Sequence, residues 1–364
     1  MKGVLIAGAG FAGLRVAEAL RAGGYDRPVT LVGDEPAPPY ERPALSKELL
    51  AGTRTADELH LRPADWLAEQ EIELVLGSSV EHVDPARRTA LVGGRELTWE
   101  YLVLATGARA RRLPDLPQAL VLRTLDDACV LRERLAPGVR LVVVGAGLVG
   151  AEAASTALSL GCEVTIVDPA SGPLVHIIGG DAASLLTDRW RRAGVELHFE
   201  SAVAATTPGE LHLTDGTRAG FDVLLVAVGA EPAAELVRPS GGVPTDACGR
   251  TGIDGVYACG DVARFGDRPG GHWTAAAGHA AAVASSILGE PKPYRDPGYF
   301  WSDQFGLRLQ MVGDSSNAVS IELEGDEDSF AVRYRDAQRQ ALAVLLANRP
   351  AEVGTARREL AAAA

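Results

Sequence analysis

The chain has 364 residues, enough for two or three domains with ample cores. Its content, 47% hydrophobic and 23% charged, is that of an ordinary α/β protein, and no apolar stretch reaches the roughly 18 residues needed to span a bilayer. A net charge of −13 argues against nucleic acid and anionic membranes as partners, and four scattered cysteines without a C-x-x-C pair argue against a disulfide framework or a zinc site.

Val4-Leu5-Ile6-Ala7 reads as a buried strand. It starts almost at the first residue, leaving no room for a leader, so a cytoplasmic chain is expected. The strand runs into Gly8-Ala9-Gly10-Phe11-Ala12-Gly13 and an alanine-rich helix, the setting that a G-x-G-x-x-G dinucleotide fingerprint requires. The first glycine permits a tight turn and the second lets backbone amides approach a pyrophosphate. The third allows close helix–strand packing, and the helix N-terminus offers positive potential to the phosphates. A second strand, 28–33, ends at Asp34 and Glu35; Asp34 is expected to accept hydrogen bonds from a ribose, with Glu35 able to take its place. Tyr101-Leu102-Val103-Leu104-Ala105-Thr106-Gly107 closes this first region as another buried strand ending at glycine.

The plan then repeats. Leu141-Val142-Val143-Val144 precedes Gly145-Ala146-Gly147-Leu148-Val149-Gly150, and the strand 163–167 ends in Asp168. Asp168 would repel a 2′-phosphate, and Pro169-Ala170-Ser171 offers no Arg or Lys, so NADH is favoured over NADPH. A buried strand ending at Val228-Gly229 closes the second region. Two fingerprints, each with its acid, imply two dinucleotides on one chain. After a linker at 291–298, Phe305, Leu307, Leu309 and Met311 alternate with Gly306, Arg308 and Gln310 as a strand, and further strands are expected at 318–323, 330–335 and 342–346. The expected fold is α/β: two doubly wound, Rossmann-like dinucleotide-binding domains plus a small α+β C-terminal domain.

Several segments resemble known families. Thr251-Gly252-Ile253-Asp254-Gly255-Val256-Tyr257-Ala258-Cys259-Gly260-Asp261 resembles the second FAD motif, T-x-x-x-x-V-Y-A-x-G-D, of pyridine-nucleotide-dependent flavoprotein reductases. That resemblance implies a discontinuous FAD-binding domain, 1–109 and 235–293, with an NAD-binding domain, 110–234, inserted in it and the C-terminal domain at 294–364. Pro39-Tyr40-Glu41-Arg42-Pro43-Ala44-Leu45-Ser46-Lys47 resembles the Y-x-R-P-x-L-S-K stretch of the NADH-dependent ferredoxin reductases that serve bacterial oxygenases. Tyr299-Phe300-Trp301-Ser302-Asp303-Gln304 resembles the W-F-W-S-D-Q opening of that family's C-terminal domain, and Arg123-Thr124-Leu125-Asp126-Asp127-Ala128 its R-T-L-x-D-A linker. The resemblance covers essentially the whole chain. Its departures are Tyr299 for the first Trp, and Ala275 and His279 where relatives often carry Asn and Gln.

The family implies an FAD enzyme that takes hydride from NADH and passes electrons singly to an acidic iron–sulfur ferredoxin, which supplies a haem monooxygenase or a Rieske dioxygenase. A rubredoxin or nitrite-reductase-type donor, or an apoptosis-inducing-factor-like NADH sensor, would use the same parts. FAD would meet Gly8, Gly10, Phe11, Ala12, Gly13, Asp34, Glu35, Arg42, Lys47, Val80 (through its backbone), Ala105, Thr106, Gly107, Arg123, Gly260, Asp261, Trp273 and Thr274. NAD would meet Gly145, Gly147, Leu148, Val149, Gly150, Glu152, Asp168, Val228 and Gly229. In catalysis, Lys47 is expected to stabilise the reduced flavin as a cation, Glu152 to pair with it and meet the nicotinamide, and Trp301 to mark where electrons leave. Arg62 and Arg308 are expected to dock the acceptor. No cysteine lies in 34–50, so the thiol relay of many double-fingerprint enzymes is missing.

Overall fold

Val4–Ala7 is buried at every position, as an unbroken apolar run demands of a central parallel strand. In the computed structural model, which describes residues 2–237, 241–265, 268–269 and 273–363, it sits in a five-stranded sheet. The strand order is Val256–Ala258, Tyr101–Leu104, Val4–Ala7, Val29–Val32, Ile72–Val75, and every pairing is parallel. The helices Phe11–Ala22 and Trp273–Ile287 cover one face, burying Leu14, Val16, Leu20, Val283 and Ile287 with Ile6 and Leu31. These elements belong to one compact unit, Met1–Arg42, Ala56–Arg109 and Ala230–Asp296.

The second unit comprises Pro43–Thr55, Ala110–Gly229 and Pro297–Ala364. Its parallel sheet runs Glu196–Phe199, Glu163–Asp168, Arg140–Val144, Val223–Val226. Its C-terminal part is a five-stranded antiparallel sheet, ordered Tyr299–Gln304, Leu307–Gly313, Ala341–Ala347, Phe330–Arg335, Ser320–Gly325. The helix Val353–Ala363 packs on one face of that sheet through Ala356 and Leu360, and the helix Val175–Arg192 packs on the other through Ile178, Ala182 and Leu186. Gly179, with φ 74° and ψ 168°, breaks the Val175–Arg192 helix. Two carbonyls beside the break take side-chain donors instead: Ile177 O accepts from Ser315 Oγ at 2.5 Å and Ile178 O from Tyr334 Oη at 2.7 Å.

Two local expectations need correction, and one feature is additional to them. The strand–helix alternation is interrupted in each unit by a three-stranded antiparallel meander, Val80–Asp84, Thr89–Val92, Arg95–Thr98 in the first and Val203–Thr207, Glu210–Leu213, Arg218–Gly220 in the second. The expected linker 123–128 is a helix start: Thr124 Oγ1 accepts from Asp127 N at 3.1 Å and Asp127 Oδ2 from Thr124 N at 2.9 Å, a capping box opening Leu125–Arg134. Phe305 is a turn residue rather than part of a strand. It and Gly306 form the two-residue loop of the Tyr299–Gln304/Leu307–Gly313 hairpin, both at positive φ (48° and 77°), as the right-handed twist of the strands favours.

Candidate active site

Both fingerprints adopt one geometry, and in each the three glycines answer different constraints. Gly8 (φ 122°) and Gly145 (φ 113°) hold conformations that L-residues avoid, and a Cβ on either would strike a carbonyl, Ala105 O at 2.1 Å or Ala227 O at 2.5 Å. A Cβ on Gly13 would meet Gly8 O at 2.1 Å, and one on Gly150 would meet Gly145 O at 2.1 Å; these glycines let helix and strand approach. Gly10 and Gly147 differ. They cap the helices Phe11–Ala22 and Leu148–Ser159 in ordinary extended conformations, φ −89° and −78°, and a Cβ on either meets no heavy atom of the described residues within 4 Å beyond its own chain neighbours. Nothing among the described residues requires glycine there. A ligand lying against the helix N-terminus would, and neither helix has an acid in its first turn to repel a pyrophosphate.

Around the first cradle, the Phe11 and Trp273 rings stack at 3.8 Å, and a Cβ on Gly260 would touch Ala12 Cβ at 2.8 Å, so the sites expected from 251–261 and from 273–274 converge on Gly8–Gly13. Thr274 follows Trp273 in the first turn of the Trp273–Ile287 helix. Thr106 Oγ1 donates to Ala233 O at 2.6 Å, and Gly107 O accepts from Ala233 N at 2.9 Å, fixing the turn after Tyr101–Leu104. Asp34 is exposed just beyond Val29–Val32, free to meet a ribose edge, and its Oδ1 accepts from Glu35 N at 3.0 Å. Glu35 is less available: its carboxylate pairs with Arg42 at 2.9 Å and accepts from Tyr40 Oη at 2.7 Å. Burial opposes the Arg42 charge, but Tyr40, Glu35 and Asp261 more than offset it and raise its pKa. Val80 opens the first meander, half-buried.

His279 is a core residue. Its ring stacks on Phe265 at 3.7 Å and meets Tyr294 edge-on at 4.5 Å; burial lowers its pKa to about 4, so it is neutral at physiological pH. All four cysteines are free; Cys162 and Cys259 are buried, and Cys129 and Cys248 are half-buried.

In the second unit Asp168 closes its strand against the fingerprint. Its Oδ2 accepts from Ala146 N at 2.6 Å and its Oδ1 from Ala170 N at 2.8 Å, which fixes a negative charge beside the Gly147 cradle. Val149 is exposed beside that cradle, Leu148 packs toward the interior, and Val228 and Gly229 follow Val223–Val226 as the opposing turn. Arg123 N donates to Asp127 Oδ2 at 3.0 Å, placing Arg123 just before the capped helix.

A buried polar cluster lies one turn into Leu148–Ser159. Glu152 is 6% exposed, and both its oxygens are engaged. Oε2 accepts from Lys47 Nζ and Ser46 Oγ, each at 2.6 Å, and Oε1 accepts from Ser302 Oγ at 2.7 Å. Lys47 Nζ also donates to Pro43 O at 3.1 Å. Lys47 and Ser46 lie on the π-helical turn Leu45–Leu49, a geometry often found at functional sites. Thr156 Oγ1 ties that turn to the Glu152 helix by donating to Ser46 O at 2.7 Å. Sequence reasoning paired Lys47 with Glu152 but gave no role to Ser46, Ser302 or Gln304, although all three lie inside the quoted motifs. Trp301 does not join this cluster. It projects from the opposite face of its strand, beside Tyr299 (ring centroids 6.2 Å apart), with Arg357 over the Tyr299 ring at 4.9 Å.

Comparison with known proteins adds to this geometry. Residues 2–280 match the family model described as pyridine nucleotide-disulphide oxidoreductase, and residues 299–364 match that described as reductase C-terminal. The chain is similar to the p-cumate 2,3-dioxygenase system ferredoxin–NAD(+) reductase component of Pseudomonas putida, at 37% identity covering 98% of this chain and 92% of that one. It is also similar to the biphenyl dioxygenase system ferredoxin–NAD(+) reductase component of Paraburkholderia xenovorans, at 37% identity covering 97% and 92%. Among solved structures it matches the covalent putidaredoxin reductase–putidaredoxin complex with a TM-score of 0.95 and 32% identity, covering 100% of this chain and 93% of that chain.

Proposed function

We propose, for a chain that belongs to the pyridine nucleotide-disulphide oxidoreductase family, that the protein is an NADH:ferredoxin oxidoreductase carrying FAD. It takes hydride from NADH and delivers electrons to a ferredoxin that serves an oxygenase, as the reductase components similar to it are named for doing. The observation that carries this reading is the pair of glycines, Gly10 and Gly147, that a dinucleotide explains and the fold does not. With four free cysteines and none in 34–50, the chain lacks the disulfide of its family's name, so the electrons go to a separate acceptor protein.

FAD, when bound, supplies two-electron acceptance and one-electron release. The chain supplies binding and electrostatics. The helix termini at Gly10 and Gly147 receive the pyrophosphates, Asp34 and Asp168 receive the riboses, and the buried Lys47–Glu152 pair presents a fixed cation. The reading places the reaction in the cytoplasm; no helix among the described residues is long and apolar enough to cross a membrane. NADH-driven reduction of a ferredoxin panel, run beside a rubredoxin, tests it. Ferredoxin turnover is expected to be the faster, whereas slow turnover with every acceptor together with NADH-dependent self-association would point to an NADH sensor.

Cofactor choice rests on Asp168. Its carboxylate, held by the Ala146 and Ala170 amides, should favour NADH over NADPH by at least about tenfold in kcat/KM, or about 1.4 kcal/mol. Asp168→Ala combined with Ala170→Arg should shift preference toward NADPH. Equal kcat/KM for the two nucleotides in the wild type would refute the role given to Asp168.

Ferredoxins are generally acidic, and a chain at −13 needs a local basic patch to receive one. On the Tyr299–Gln304/Leu307–Gly313 hairpin, Arg308 pairs in register with Asp303 and so shares a face with Trp301 and Tyr299, while Leu307 and Leu309 are buried on the other. Its guanidinium is about half exposed, with Asp303 at a loose 3.8 Å. In the other unit, Arg62 is bound to Glu18 at 2.7 Å and lies over the Trp66 ring. Both arginines are assigned to ferredoxin docking, and Arg308, the freer, should matter more. Arg308→Glu should raise KM for ferredoxin about fivefold and leave flavin reduction by NADH unchanged, and wild-type turnover should fall as salt rises. A salt-independent KM, unchanged in both Arg308→Glu and Arg62→Glu, would remove both arginines from the docking surface.

A further inference from the structure

We infer that Ser302 and Gln304 are positioning residues that hold the Glu152 carboxylate, and through it the Lys47 ammonium, in the one orientation used for hydride transfer. The inference rests on the NADH reading above.

Proton counting leads to it. Ser302 is fully buried, and its hydroxyl has a single proton to give. Gln304 Nε2 donates into Ser302 Oγ at 3.0 Å, which leaves that proton for Glu152 Oε1 at 2.7 Å. Oε2 is already shared by Ser46 and Lys47, so Ser302 provides the only donor to Oε1 among the hydrogen bonds of the described residues. Without it, half of a buried carboxylate loses its donor and is no longer held from the side opposite Lys47.

The hairpin bearing these residues is anchored to the helix that bears Glu152. Phe305 N donates to Ser155 Oγ at 2.8 Å, one helical turn beyond Glu152, and Phe305 O accepts from Arg189 Nε at 3.0 Å. Gln304 is 2% exposed, and its other amide atom, Oε1, has no partner among the described residues. A buried amide satisfied at one end only is a cost to the fold. Orienting the Ser302 hydroxyl accounts for its presence, where an apolar residue of similar size would pack more cheaply.

Rapid-mixing measurements of flavin reduction by NADH, with thermal unfolding of the same purified proteins, test this. Ser302→Ala should lower the limiting reduction rate about tenfold while leaving the apparent NADH Kd within about twofold, and Ser302→Thr, which keeps the hydroxyl, should restore it to within about twofold. In a Glu152→Gln background, Ser302→Ala should change the rate by less than about twofold, and its effect on Tm should shrink likewise, because no carboxylate remains to be held. Gln304→Met, which spares the hydroxyl, should slow reduction about threefold. Effects of Ser302→Ala and Glu152→Gln that simply multiply in rate and add in Tm would overturn the assignment while leaving the NADH reading intact. A wild-type flavin that NADH does not reduce would instead sink the functional reading and the hydride-transfer role together.

Discussion

Gly10→Val should yield a folded, colourless protein, and Gly147→Val a folded yellow one that NADH no longer reduces. Both positions have extended backbones that valine adopts readily, and at neither does the new Cβ meet a heavy atom of the described residues within 4 Å beyond its chain neighbours. With the cofactors removed, the Tm of each variant should therefore stay close to that of the wild-type apoprotein, since surface changes without a clash are worth about 0.5 kcal/mol or less. On the proposed reading the valine would instead meet the pyrophosphate, and each variant should lose its own dinucleotide by at least about a hundredfold in affinity, or about 2.7 kcal/mol. Gly13→Val is the control, because its Cβ would strike Gly8 O at 2.1 Å and should unfold the protein outright. Visible flavin absorbance after purification and flavin bleaching by NADH read the two sites separately. If both variants lost the same cofactor, the assignment of one site to each would be wrong.

Lys47→Ala should slow flavin reduction by about ten- to a hundredfold and also destabilise the protein. The ammonium is mostly buried and lies 2.6 Å from Glu152, itself almost wholly buried. Removing one partner strands the other's charge, a loss of about 3 kcal/mol at buried pairs. The carboxylate keeps Ser46 and Ser302, so the fold should survive at reduced Tm. On the proposed reading the rate falls for a different reason: the cation assigned to stabilise the charge gained on reduction is gone. Lys47→Met, which retains the apolar stem, should recover part of the stability and none of the rate. Reduction rates equal to wild type in both variants would reduce Lys47 to a structural ion pair.

Much of this architecture was legible because its signals are local. Val4–Ala7 and Arg140–Val144 are apolar runs of strand length, each followed at once by three glycines at fixed spacing. Thr124 and Asp127 also formed a local signal, the T-x-x-D of a capping box, but the family likeness of 123–128 to a linker obscured it. The meander Val80–Asp84, Thr89–Val92, Arg95–Thr98 was harder to see. Its first strand buries only Val83, and its last has no fully buried residue, so neither shows the alternation that marks a half-buried strand. The turn at Phe305 was hidden for a physical reason. An aromatic residue at positive φ is held there by Ser155, Arg189 and a ring contact with Trp190, all more than a hundred residues away in sequence. The Glu152 cluster is of the same kind: Ser46, Lys47, Glu152 and Ser302 are brought together by the fold, and only the Lys47–Glu152 pair was foreseeable, through a family likeness.

The strand order of the first sheet bears on how the chain is made. Tyr101–Leu104 lies between Val4–Ala7 and Val256–Ala258, so one of its edges is filled by a strand about 150 residues later in the chain. At ribosomal rates of about 5–20 residues per second, that edge waits on the order of 10–30 s for its neighbour. Throughout the wait, Leu102, Val103 and Leu104, each buried to 1% exposure or less in the finished protein, border an open row of peptide groups. An edge that long unpaired is a template for the same edge on a neighbouring nascent chain. The interruption of one nucleotide-binding fold by another therefore makes the yield of native protein depend on translation speed, temperature and chaperone supply, independently of how stable the finished molecule is.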